Sequence, residues 1–123
     1  MPGSPVLVVE DNDMNMKLFR DVLQATGYDT LEATTGEDAL ELARTRSVAL
    51  VLMDVQLPGI DGVEALARLR ADERTSSIPV LALTAQAMFG DAQRFLDAGF
   101  DGYLSKPVDI AELVAVVKTH TAA

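Results

Sequence analysis

Leu50-Val51-Leu52-Met53-Asp54 is an unbroken apolar run closed by a carboxylate, and Leu57-Pro58-Gly59 follows shortly after it. Proline and glycine cannot continue a central strand. A strand that is apolar on both faces belongs inside a parallel sheet covered by helices. Its last residue, Asp54, then stands at the carboxyl edge of that sheet, where open α/β folds bind ligands.

Working outward, the chain alternates between strand and helix patterns. Val6-Leu7-Val8-Val9 reads as a buried β-branched strand that runs into Glu10-Asp11-Asn12-Asp13. Asn12 or Asp13 can cap the next helix, and Asp13 reads as a first-turn acid. In that helix Met14, Leu18, Val22 and Ala25 form the expected inward face, with Phe19 and Leu23 beside them, and Gly27 ends it. Tyr28 to Ala33 reads as a second strand. Thr35 caps a second helix with Ala39, Leu40 and Ala43 inward. Beyond the central strand, a third helix from about Val63 carries Val63, Leu66 and Leu69. A fourth strand ends at Thr84, and a fourth helix from about Met88 to Ala98 stops at Gly99. Gly102-Tyr103-Leu104-Ser105 is a short fifth strand that ends at Lys106-Pro107. Asp109 caps a last helix with Ile110, Leu113, Val114 and Val117 on one face. Strands separated by helices make right-handed crossovers, so the expected fold is a flavodoxin-like doubly wound α/β domain, (βα)5, with a five-stranded parallel sheet in the order 2-1-3-4-5.

The composition narrows the function classes. A chain of 123 residues is read as a single domain. It has no cysteine, hence no disulfide or thiolate metal site, which suits a reducing, cytoplasmic compartment. Met1-Pro2-Gly3-Ser4 does not begin a signal peptide, and no apolar run approaches a membrane span. The net charge of -9 disfavours direct contact with nucleic acid or anionic lipid and suits a cation or a basic partner. No phosphate-binding Gly-x-x-x-x-Gly-Lys loop and no Gly-x-Gly-x-x-Gly turn occurs. The one histidine, His120, lies in the tail, so no histidine-based triad or zinc cluster can form.

The polar residues gather at strand ends: Glu10 and Asp11 after the first, Asp54 on the third, Thr84 on the fourth, Lys106 after the fifth. In the expected order these ends are neighbours, a few spacings of about 4.8 Å apart. Each alone has an ordinary reading as a helix start, a turn residue or a solvated charge. Together they describe a site. Carboxylates that close repel one another, so without a cation at least one pKa rises. A hard divalent cation with oxygen ligands and retained waters, Mg2+, resolves the repulsion. With Lys106 as a point charge and Thr84 as a hydroxyl donor, the chemistry is phosphoryl transfer onto Asp54, driven by positioning and charge neutralisation.

These motifs as a set are Val-Glu-Asp-Asn at 9–12, Leu-Met-Asp-Val-Gln-Leu-Pro-Gly-Ile-Asp-Gly at 52–62, Leu-Thr-Ala at 83–85 and Lys-Pro at 106–107. The chain thereby resembles the response-regulator receiver domains of bacterial two-component signalling over about residues 5 to 118. The resemblance implies that Asp54 is the phospho-acceptor and that Glu10, Asp11, Asp54 and the backbone carbonyl of Gln56 hold Mg2+. It implies that Thr84 and Lys106 contact the phosphoryl group and that the Lys106-Pro107 peptide is cis. It also implies a switch in which Thr84 moves toward the phosphoryl group and Tyr103 turns inward behind it. Gln56 and Gln86 are expected to flank the site and to tune hydrolysis of the acyl phosphate.

Glu-Asp-Asn-Asp-Met-Asn-Met-Lys-Leu-Phe at 10–19 and Met-Asp-Val-Gln-Leu-Pro at 53–58 are similar to the stand-alone DivK-type cell-fate regulators of alphaproteobacteria. The implied donor is a sensor histidine kinase or a histidine phosphotransferase, docking by Asn15 with Met14 or Leu18. The implied output is a phosphorylation-dependent contact with a downstream protein target. A receiver excised from a hybrid histidine kinase reads the same way. Two rivals come from other classes: a Mg2+-dependent aspartyl-phosphate phosphatase and a purely structural acidic module. The phosphatase wants a second aspartate two residues after the nucleophile, where this chain has Gln56.

Overall fold

The computed structural model describes residues 4–85 and 91–121. Ten elements follow in strict alternation: β1 (Val6–Val9), α1 (Asp13–Ala25), β2 (Thr30–Ala33), α2 (Gly36–Thr45), β3 (Leu50–Asp54), α3 (Gly62–Ala71), β4 (Val80–Thr84), α4 (Asp91–Ala98), β5 (Gly102–Ser105) and α5 (Ile110–Thr121). The sheet is parallel throughout, in the order β2-β1-β3-β4-β5, as the alternation predicts. Among the described residues no helix is long and apolar enough to cross a membrane.

Strand side chains alternate between two apolar layers. Leu7, Val9, Val51, Met53, Val80 and Ala82 pack under α2, α3 and α4. Val6, Val8, Leu50, Leu52, Leu81 and Leu83 pack under α1 and α5. All residues of β1, β3 and β4 are buried, which is why these strands read as continuous apolar runs rather than as alternations.

Side-chain caps start the helices where the sequence places them. Asn12 Oδ1 accepts the Asn15 N–H at 3.0 Å, Thr35 Oγ1 the Asp38 N–H at 3.1 Å, and Asp109 Oδ1 the Glu112 N–H at 2.9 Å. Asp61 caps α3 in the same way at 2.9 Å. Far from the carboxyl edge, Arg70 ties loops together. Its guanidinium donates to the carbonyls of Ser76, Ile78 and Gly99 and to Asp101 Oδ2, while that carboxylate also accepts the Val80 N–H.

Several expectations need correction. The inward face of α1 is Met16, Phe19 and Leu23, whereas Met14 is 83% exposed and Leu18 38%. Ala25 is exposed and Val22 only partly buried. Two apolar stripes run along this helix, and the one with the larger side chains, Phe19 foremost, fills the space over the sheet. Strand β2 begins at Thr30 rather than at Tyr28. The Tyr28 N–H closes the end of α1 on the Leu23 carbonyl at 3.0 Å, and its hydroxyl shares a hydrogen bond with Thr121 Oγ1. Val63 and Ile110 stand at helix starts and are largely exposed, leaving Ala65, Leu66 and Leu69 and Leu113 and Val117 as the buried rows. The expected start of α4, Met88 to Gly90, lies outside the described residues.

Candidate functional site

The parallel register brings the strand ends to one rim. Val9 pairs with Met53, so Asp54 extends one residue past the end of β1 and faces the segment opened by Glu10. Asp54 pairs with Leu83, and Thr84 with Ser105, so Thr84 and then Lys106 follow along the same edge. The Lys106 N–H continues the ladder by donating to the Thr84 carbonyl at 2.8 Å. The Lys106-Pro107 peptide is cis.

Glu10, Asp54 and Thr84 are buried polar residues on this rim, and Asp11 beside them is exposed. Lys106 joins the two buried acids: its Nζ donates to Glu10 Oε1 at 2.6 Å and to Asp54 Oδ2 at 2.8 Å. Asp54 Oδ1 accepts the Gln56 N–H at 2.9 Å, so both carboxylate oxygens are held. The loop behind Asp54 packs tightly. A Cβ on Gly62 would lie 2.5 Å from the Asp54 carbonyl oxygen, and the Gly62 N–H donates to the Val55 carbonyl. Gly59, at φ 75°, turns this loop past Glu37.

The crowding of acids tells on Glu10. Burial first, then the approach of Asp54, pushes the Glu10 carboxyl up to about 7, with Lys106 only partly offsetting the rise. For Lys106, burial works against the charge, but Asp54 and Glu10 outweigh it and hold the ammonium above its usual range. One oxygen each from Glu10, Asp11 and Asp54 lies within 4.8 Å of the others. This all-oxygen, mixed buried and exposed donor set fits a hard divalent cation that keeps part of its water shell.

The sequence-derived residues Glu10, Asp11, Asp54, Gln56, Thr84 and Lys106 thus come together. Tyr103 stands apart: it is 37% exposed on β5, paired in register with Ala82. Gln86 lies outside the described residues. The Glu10–Lys106 contact and the bond from Asn15 Nδ2 to Glu10 Oε1 at 3.0 Å escape a reading of strand ends. The available signal was the cap at Asn12, which swings the first turn of α1 back over the strand end.

The response regulator receiver domain family model matches residues 6–118. The polar-differentiation response regulator DivK of Brucella ovis is 44% identical over 115 residues, covering 94% of each chain. The receiver domain of a sensor histidine kinase from Pseudomonas aeruginosa, solved with magnesium coordinated in its active-site cleft, superposes with a TM-score of 0.90 at 35% identity, covering 98% of this chain and 99% of that one. A co-crystal structure of a Saccharomyces cerevisiae histidine phosphotransfer signalling protein with the receiver domain of its downstream response regulator matches with a TM-score of 0.87 at 27% identity, covering 98% of this chain and 90% of that one. Fold, rim and relatives agree, and the chain belongs to the response regulator receiver domains, the phospho-accepting modules of two-component signalling.

Proposed function

We propose that Asp54 accepts a phosphoryl group from a phosphohistidine on a sensor histidine kinase or histidine phosphotransferase. The single observation that carries this reading is the position of the Lys106 ammonium, 2.8 Å from Asp54 Oδ2 on a rim of three converging carboxylates. A carboxylate oxygen of Asp54 attacks phosphorus, the bond from phosphorus to the imidazole nitrogen breaks, and that nitrogen keeps the electron pair. Glu10, Asp11, Asp54 and the Gln56 carbonyl would hold Mg2+, which supplies positive charge to the phosphoryl oxygens when bound. Lys106 adds a second positive charge. The Gln56 N–H orients the carboxylate through the Oδ1 hydrogen bond, and Thr84 offers its hydroxyl from the adjacent strand.

The donor class is supported by the phosphotransfer protein seen with a structurally similar receiver. The output is a phosphorylation-dependent contact with a downstream protein, in the manner of a DivK-type regulator of the cytoplasm. In this reading the chain is a phospho-acceptor that catalyses only its own modification and its loss. Thr84 and Tyr103 form the switch: Tyr103, exposed here, turns inward when Asp54 is modified. The two forms are populations whose balance the phosphoryl group shifts.

Incubation with magnesium and acetyl phosphate tests the reading. Wild type should gain one phosphoryl group, and Asp54→Asn none. Many turnovers of the donor without a retained phosphoryl group would mean a phosphatase, and an unmodified wild type would remove the phospho-acceptor role. Tyr103→Ala should keep the modification but weaken the response of the partner.

A further inference from the structure

Glu10 is fully buried, so its carboxylate has no solvent to turn toward. Three donors hold it. Oε2 accepts the Asp11 N–H at 3.1 Å, while Oε1 accepts both Lys106 Nζ at 2.6 Å and Asn15 Nδ2 at 3.0 Å. An ionised carboxylate only accepts, so the Asn15 amide must present its nitrogen. The backbone N–H of Asn15 is separately engaged with the Asn12 cap, so the start of α1 does not depend on the Asn15 side chain.

The two donors on Oε1 are not equivalent. Lys106 divides itself between Glu10 and Asp54, and its charge competes with any other cation for the same oxygens. Asn15 is neutral and reaches Glu10 from the helix side. It can stay on Oε1 when the ammonium gives way to a metal or follows a phosphoryl group on Asp54.

We propose that Asn15 is a positioning residue of the cation site: its amide holds the Glu10 carboxylate in the orientation that a divalent cation requires, independently of Lys106. This rests on the reading that Glu10, Asp11 and Asp54 hold Mg2+. Groups that orient a metal ligand from behind typically change affinity by about 10–100-fold when removed.

Calorimetric titration of the full chain with magnesium at about pH 8, where Glu10 is ionised, tests the proposal. Asn15→Ala should bind magnesium about tenfold more weakly than wild type. It should need a correspondingly higher magnesium concentration for half-maximal modification by acetyl phosphate, and excess magnesium should restore most of the rate. Asn15→Gln, which keeps a donor, should retain most of the affinity. Asn15→Leu, which keeps the branched shape of Asn without a donor, gives the same reading should the alanine variant not fold. Equal magnesium affinity in wild type and in the variants without a donor would overturn the proposal. So would a rate deficit that excess magnesium leaves unchanged. A wild type that does not bind magnesium would overturn both the proposal and the cation site beneath it.

Discussion

The Lys106 ammonium lies 2.8 Å from Asp54 Oδ2, and the same nitrogen is 2.6 Å from Glu10 Oε1. One cation is therefore shared by two buried acids that the fold brings together from different strand ends. The contact stabilises the metal-free protein and keeps a positive charge beside Asp54.

Removing that cation leaves buried carboxylates without a partner, which is costlier than losing an exposed ion pair. Lys106→Ala should lower stability by roughly 2–4 kcal/mol at neutral pH, part of the cost being relieved by proton uptake at Glu10. Chemical denaturation with and without magnesium measures it, and magnesium should recover more stability in the variant than in wild type. Modification by acetyl phosphate should slow.

Glu10 sets the pH dependence. Its carboxyl titrates at about 7 in the metal-free fold, against an ordinary value of 4.5. The folded state therefore binds this proton more tightly than the unfolded chain. The stabilising contribution of Glu10 is complete below the unfolded value and is lost as pH rises toward about 7. The melting temperature of wild type in chelator should fall over that window relative to Glu10→Gln. Magnesium needs the ionised form, so its affinity should drop by up to about tenfold per pH unit below the Glu10 titration. Calorimetry in buffers of different ionisation enthalpy should record a proton released on binding at about pH 6 and little release at about pH 8.

Gly62 has no room for a side chain, because a Cβ would meet the Asp54 carbonyl oxygen at 2.5 Å. That oxygen belongs to the backbone, which cannot swing aside. Gly62→Ala should push back the end of β3 and slow modification of Asp54 by tenfold or more, since positioning errors of about 1 Å can cost about 100-fold. Rates with acetyl phosphate at saturating magnesium test this, alongside a stability loss of about 2 kcal/mol or more.

Met14 and Leu18 expose apolar surface on α1 beside the rim. Alanine at both positions should slow transfer from a cognate kinase while leaving modification by acetyl phosphate close to wild type. Paired rate measurements with the two donors check the separation, and equal slowing with both would rule out a docking role.

The fold was legible because its signals are local and redundant. Continuous apolar strands, side-chain caps at Asn12, Thr35 and Asp109 and positive-φ Gly27 and Gly99 all point to one alternation. Parallel crossovers have one hand, so the shared rim of the strand-end residues follows from the alternation of elements. The rotation of α1 was not legible. Met14-Leu18 and Met16-Phe19-Leu23 are both helical stripes, and only packing against Val6, Val8 and α5 selects the second.

The chain by itself determined the chemistry available at the rim: which acids, which hydroxyl, which ammonium, and the order in which they arrive. Tertiary structure alone decided how those groups share protons and hydrogen bonds. Burial raises the Glu10 carboxyl, Lys106 divides between two acids, and Asn15 takes the remaining place on Oε1. Side-chain type and spacing are written along the chain, whereas desolvation and distances of a few ångströms exist only once separate strands are packed side by side.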